Sequence, residues 1–226
     1  MKYKKIFFAL FSGFLLFLVT PSALAHQPRI VKPEQSLILI ENPELSQAFY
    51  DELVGSSKVY FINSPIDFDL YANLLVPKSS NPDGRYSALI YKINPDEKEL
   101  IATLNATSSD WLEFYEEFAS DTYLKGPEFK SQVPAGDYEI IVSNQQNQGK
   151  YVLAVGEVEK FGPKSILDAF YILPILKVKF FQTSVFKLLF PAKLGIMYWI
   201  ALAILVFIVL AITCKVIKNR ALKIQK

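Results

Sequence analysis

From Ile66 to Leu74 apolar residues fall at every second position: Ile66, Phe68, Leu70, Ala72 and Leu74 alternate with Asp67, Asp69, Tyr71 and Asn73. A period of two buries one face and wets the other, so this stretch predicts a strand. Arg85 to Ile93 and Glu99 to Leu104 flank a turn at Asn94–Lys98 and predict a hairpin. Tyr138 to Ser143 and Lys150 to Val155, on either side of the polar Asn144–Gly149 loop, predict a second. Two segments carry helical spacing instead. Asn42 stands where a cap would, before Pro43 and a stripe of Leu45, Ala48, Phe49 and Leu53 that ends at Gly55. Asp110 and Glu113 have capping-box spacing ahead of Trp111, Tyr115 and Phe118. The predicted class is mainly β: an exported β-sandwich, jelly-roll-like, with two short helices, followed by a juxtamembrane helical segment and one transmembrane helix.

The two ends carry longer apolar runs with different flanks. Lys2, Lys4 and Lys5 precede Ile6 to Val19, which is short for a span, and Ala23 and Ala25 fit the small-residue rule of a cleaved leader. Leu194 to Thr213 is uncharged, about 20 residues as a crossing helix requires, with Tyr198 and Trp199 near one end and Lys215, Lys218, Arg220, Lys223 and Lys226 after it. These flanks divide the chain into a signal peptide (1–25), an exported domain (26–161), a linker and interfacial segment (162–193), a span (194–214) and a basic cytoplasmic tail (215–226). The expected location is the cell membrane, single-pass, with the N-terminal domain extracytoplasmic.

Charge follows the same division. The formal total is +2, yet His26 to Lys164 holds 12 Lys and Arg against 21 Asp and Glu, a net of −9. An acidic surface argues against nucleic acid as a ligand. The single cysteine, Cys214, allows no disulfide within the chain, so the domain relies on its core. Asn105–Ala106–Thr107 is a glycosylation sequon wherever exported asparagines are modified.

Val133–Pro–Ala–Gly–Asp–Tyr–Glu–Ile–Ile–Val–Ser143, followed by Gly149–Lys–Tyr–Val–Leu–Ala–Val155, resembles the final hairpin of bacterial pre-peptidase C-terminal domains, jelly-roll modules attached to secreted enzymes and surface proteins. The resemblance covers about 25 residues. It implies an accessory or binding role and transfers no site residue.

With His26 the only histidine and no exported cysteine, a Ser/His/Asp triad, a Cys/His pair and a multi-histidine zinc site are excluded by count. Carboxylates remain. Asp67 and Asp69 on one strand face, roughly 6.5 to 7 Å apart, and the group Glu113, Glu116, Glu117 and Asp121 are the candidates for a glycosidase-like pair, with solvation of a wet face as the plainer account. Asp67, Asp69 and Asp121, with Asn81 and Asp83 nearby in loops, are also candidate oxygen ligands for Ca2+. Leader cleavage would place the imidazole and α-amine of His26 together, as in copper histidine-brace proteins, but the second histidine of such a brace is missing and an exposed, frayed terminus is expected.

Ser165 to Phe190 is apolar, with Phe170, Tyr171, Phe180, Phe181, Phe186 and Phe190 interrupted by Lys177, Lys179 and Lys187. Pro174 and the lysines argue against a crossing, so the segment reads as kinked and interfacial, in contact with membrane lipid or a membrane-protein partner together with Tyr198 and Trp199. The expected role is a non-catalytic, membrane-anchored binding module for an envelope glycan or a protein, with Tyr71, Tyr86, Tyr91 and Trp111 as candidate sugar-stacking aromatics. The alternatives are a structural subunit docking through 165–190 and a carboxylate-based hydrolase.

Overall fold

The structure is a computed structural model and describes residues 26–224 apart from 108–109, 161 and 190–192. The expected leader (1–25) and Phe190 lie outside the described residues, as do the side chains of Lys215, Lys218, Arg220, Lys223 and Lys226. Eleven strands form two stacked sheets: β1 (Gln27–Ile30), β2 (Leu37–Leu39), β3 (Gln47–Val54), β4 (Lys58–Ser64), β5 (Phe68–Pro77), β6 (Ser87–Ile93), β7 (Lys98–Leu104), β8 (Leu112–Glu116), β9 (Asp121–Val133), β10 (Gly136–Ser143) and β11 (Gln148–Val155). One sheet runs β1-β3-β11-β5-β9-β8 and the other β2-β4-β10-β6-β7. Two pairings, β1 with β3 and β2 with β4, are parallel; the rest are antiparallel. The chain is a β-sandwich, as its alternation predicts.

The core lies between the sheets. Phe68, Leu70, Ala72, Leu74 and Val76 of β5 point into it, opposite Tyr138, Ile140 and Val142 of β10. Ile66 falls before the strand and is exposed. The β6/β7 hairpin forms as expected. The second expected hairpin does not: β10 pairs with β4 and β6 in one sheet while β11 pairs with β3 and β5 in the other, so 144–147 is an arch between sheets. Alternation looks identical in both cases, because an inward face is apolar whichever sheet it lines.

Neither short helix exists. The stretch beginning at Asn42 becomes a turn and β3, with Asn42 at positive φ. β3 is covered on both faces, Phe49 and Leu53 by the inter-sheet core and Ala48 and Tyr50 by the outer layer, so its buried residues cease to alternate and mimic a helical stripe. The capping-box stretch becomes edge strand β8 and a turn in which the Glu116 carboxylate accepts from the amides of Phe118 and Ala119 at 2.6 and 2.8 Å. Glu113, the acidic residue of the capping-box spacing, pairs with Lys78 from its place on β8 and caps no helix.

Two groups of buried polar side chains inside the sandwich find partners. Asp51 accepts from the Tyr60 and Tyr151 hydroxyls at 2.8 and 3.1 Å and faces Lys58 at 3.6 Å, while Lys58 donates to the carbonyls of Pro33 and Gln35. On β9, Gly126 and Pro127 stand opposite Leu74 in a bulge, and the buried Asn73 amide donates to both carbonyls at 3.2 Å.

A third layer covers the six-stranded sheet. Helix α1 (Pro163–Ile175) continues through a π-helical turn (Leu176–Phe180) and a short 3-10 turn (Val185–Leu188). Ala169, Leu173, Leu176, Phe180, Phe181 and Leu188 pack on Ala48, Tyr50, Tyr123, Val152 and Ala154 as a second core. The Phe180 and Phe181 rings meet Tyr50 edge-on, at 5.2 and 6.1 Å between centroids. Lys177 is buried in this layer, 2.5 Å from Asp121 and donating to the Ser120 carbonyl. Thus Phe180 and Phe181, read as lipid or partner contacts, are interior residues of the domain. Tyr171 and Phe186 are exposed, and Phe170 is half-buried.

Helix α2 (Lys193–Ile224) follows. Tyr198 donates its hydroxyl to the Phe170 carbonyl at 3.1 Å and stacks edge-on against the Phe170 ring at 4.6 Å, joining α2 to α1. Trp199 is exposed, with Leu202, Leu205, Val206, Val209, Leu210 and Ile212 beyond it. Among the described residues no helix is long and apolar enough to cross a membrane.

Candidate functional site: a pocket under the outer helix

The outer layer does not seal the sheet completely. A cavity of about 280 Å³ remains between α1, the six-stranded sheet and the β8–β9 turn. Ala48, Leu75, Val152, Ala169 and Leu173 give it an apolar floor; Tyr50, Tyr71, Phe114, Phe118 and Tyr123 supply aromatic walls; His26, Ser46, Glu116, Lys125, Glu157 and Glu159 stand among its polar residues. The sequence signal was Tyr151–Val–Leu–Ala–Val155, an unbroken apolar run that marks a strand covered on both faces.

Several of the charges are already answered. Lys125 pairs with Glu128 at 2.8 Å, Glu157 with Lys130 at 2.6 Å, and Glu116 accepts its two turn amides. Burial still holds the Glu116 carboxyl above its ordinary value. The Tyr50 and Tyr123 hydroxyls bond each other at 3.1 Å beneath the wall, and burial raises both.

His26 is not a frayed terminus. It is half-buried, with Nδ1 2.6 Å from Ser46 Oγ, and Gln27 anchors the next residue through its side chain to the Lys160 carbonyl. Burial lowers the His26 pKa below 6.5, opposed by the nearby Glu157 charge. The native ring then binds fewer protons than the unfolded one, so its contribution to stability is complete above pH 6.5 and declines as pH falls from there towards the lowered value. His26→Gln should remove that component, with a slope of at most about 1.4 kcal/mol per pH unit. Urea denaturation of both proteins between pH 7.5 and pH 5 reads it, and parallel curves would refute the assignment.

The other predicted site residues do not converge. Asp69 faces Gln132 at one end of β9 and Asp121 begins the other end, 11 residues away, a distance of about 36 Å at ~3.3 Å per residue. Asp67 accepts from the Ala135 amide at 2.9 Å and Asp121 is paired to Lys177, so Asp67, Asp69 and Asp121 cannot share a Ca2+ ion. Among the described residues no group of three His, Cys, Asp or Glu side chains is placed to hold a metal. Glu113 is ion-paired to Lys78 at the surface. The four aromatics share no face: Tyr86 is fully buried in the core, Trp111 donates to the Ala106 carbonyl with Arg85 over its ring, Tyr91 lies on β6 of the five-stranded sheet, and Tyr71 alone lines the pocket.

No known family matches the chain, and no curated protein does. Solved structures with some likeness include the pre-peptidase C-terminal domain of a collagenase from Bacillus anthracis, at 11% identity over 60% of this chain and 98% of that one, with a TM-score of 0.32. This is the class that Val133–Val155 resembles. CorA, a surface-associated copper-binding protein of Methylomicrobium album, shows 8% identity over 58% of this chain and 100% of that one, with a TM-score of 0.28. A β-glucosidase from Paenibacillus barengoltzii shows 12% identity over 61% of this chain and 14% of that one, with a TM-score of 0.22. Likenesses at these scores assign no activity, and the functional reading rests on the chain's own residues.

Proposed function

We propose that the chain is a membrane-anchored, extracytoplasmic, non-catalytic recognition module whose pocket takes a compact organic cation with an apolar body. The observation that carries the ligand class is the pairing of aromatic walls with an acidic surround: five rings and three carboxylates line about 280 Å³ against one lysine. Lys125 is paired with Glu128, Glu157 with Lys130 and Glu116 with its turn amides, which leaves Glu159 to face a ligand. Ring faces and carboxylates favour a cation, an apolar floor favours its hydrocarbon part, and the volume suits a small ligand. The net charge of −9 on the exported part acts in the same sense. The anchor is supported by the uncharged Leu194–Thr213 run on a continuous helix and by apolar side chains exposed around it; the leader and the basic tail support an outside location for the sandwich.

Calorimetry on the full chain in a neutral detergent, with benzyltrimethylammonium and its neutral carbon isostere as probes, tests the ligand class. The cation is expected to bind at least about 10-fold more tightly than the isostere, and Phe114→Ala to weaken it by about 3- to 10-fold, the worth of one cation–π contact. Glu159→Gln should weaken the cation and leave the isostere unchanged. Equal affinity for the two probes, or none for either, would reject the cation reading.

A further inference from the structure

Helix α1 together with its π-helical turn is apolar on two opposite faces. Ala169, Leu173, Leu176 and Phe180 point into the second core. Leu167, Tyr171, Pro174 and Val178 follow i, i+4, i+7 and i+11 spacing along the other side, with Leu167 69%, Tyr171 74% and Val178 57% exposed. Phe186, 73% exposed, and Val185 extend the apolar surface past the π-helical turn. Exposed lysines, Lys179 and Lys187, follow it in the chain, and Lys164, ion-paired to Asp168 at 2.7 Å, precedes it. The sandwich's own packing is complete without this stripe, so the fold gives no reason for it to be apolar.

We propose that this outer face of α1 lies in the headgroup region of the bilayer and seats the sandwich on the membrane in one fixed orientation. The occupant follows from continuity. Tyr198, at the start of the apolar run on α2, is bonded and stacked to Phe170 on α1, so a helix entering the bilayer there brings the α1 stripe to the membrane surface. Apolar side chains flanked by lysines match that boundary, the hydrocarbon stems reaching inward and the ammonium groups staying with lipid phosphates. The inner face, clamped by the Lys177–Asp121 pair and the Phe180 and Phe181 rings, makes the seat rigid. The proposal rests on the membrane anchor proposed above, and its test separates the two.

In a Cys214→Ser background, single cysteines are introduced as Tyr171→Cys, Phe186→Cys, Leu205→Cys and Ile66→Cys, all at exposed positions, and spin-labelled in the full chain. In nanodiscs of phosphatidylcholine and phosphatidylglycerol, collision with oxygen and with a water-soluble nickel chelate reports depth. Position 205 should be deep in hydrocarbon, 171 and 186 shallow but protected several-fold from nickel, and 66 fully in water. Positions 171 and 186 matching 66 while 205 remains deep would overturn the seat and leave the anchor standing. Position 205 in water would overturn both.

Discussion

Replacing Lys177 by methionine is expected to destabilise the sandwich by about 3–5 kcal/mol at neutral pH, because it leaves the Asp121 carboxylate buried without its cation. Both partners are almost fully enclosed, Lys177 at 1% and Asp121 at 5% exposure. Burial is the largest influence on each, pushing the Asp121 carboxyl up and the Lys177 ammonium down, with their mutual attraction opposing it. An ion pair held against such desolvation is costly to break and contributes little net stability when whole. The loss should depend on pH in a defined sense. In Lys177→Met the native Asp121 carboxyl rises further above its unfolded value near 3.8, so the native state binds more protons across that interval. The deficit is therefore full above the raised pKa and shrinks as pH falls through it. Adding Asp121→Leu should return stability to within about 1 kcal/mol of the original. Urea denaturation at pH 7 and pH 4 measures all three proteins; a single-variant loss below about 1 kcal/mol at pH 7 would mean that the outer layer is not docked as described.

Gly156→Ala is the second large effect, expected at about 2–4 kcal/mol with loss of cation binding. Gly156 follows β11 with φ +74, and a Cβ there would lie 2.4 Å from the Leu45 carbonyl oxygen and 2.6 Å from that of Glu44. Those carbonyls belong to the connection where Glu157 and Val158 donate to Glu44 and Ser46 donates to Val158. Relieving the collision must part these strands, and Ser46 and Glu157 both line the pocket beside His26. Thermal unfolding and probe calorimetry on the one variant would show the coupling. A variant as stable as the parent that still binds the probe would refute the geometry at this corner.

Legibility in the sequence followed burial. β5 was readable because one face meets the core while the other begins wet, with Asp69 exposed and Tyr71 half-buried before Asn73 and Leu75 are covered, so polar residues alternate with Phe68, Leu70, Ala72 and Leu74. β3 was misread because Ala48 and Tyr50 are buried by α1 just as Phe49 and Leu53 are by the core, and a strand buried twice loses its period. The β10–β11 arch was misread because alternation reports an inward face without naming the sheet. The candidate aromatics failed for a related reason: an aromatic is as useful inside a core as on a ligand, and Tyr86 was spent there. Of the pocket, only the doubly covered strand at its floor left a mark in the sequence, the unbroken apolar run Tyr151–Val155. Tyr50, Phe114, Tyr123 and Leu173 come from four separated stretches, brought together only when α1 folds back on the sheet.

The place of the last two strands sets the order in which the chain can assemble. β10 lies between β4 and β6, and β11 between β3 and β5, so each sheet is missing its central member until the final third of the domain has been made. Before then β1 with β3, β5 with β9 and β8, β2 with β4, and β6 with β7 are separate fragments with open inner edges. A ribosome that stalls before Gly136 releases four half-built ribbons, and a protease acting then meets a chain with no closed core. The late strands act as a double zip, and a domain built this way commits to its structure in one step near the end of synthesis.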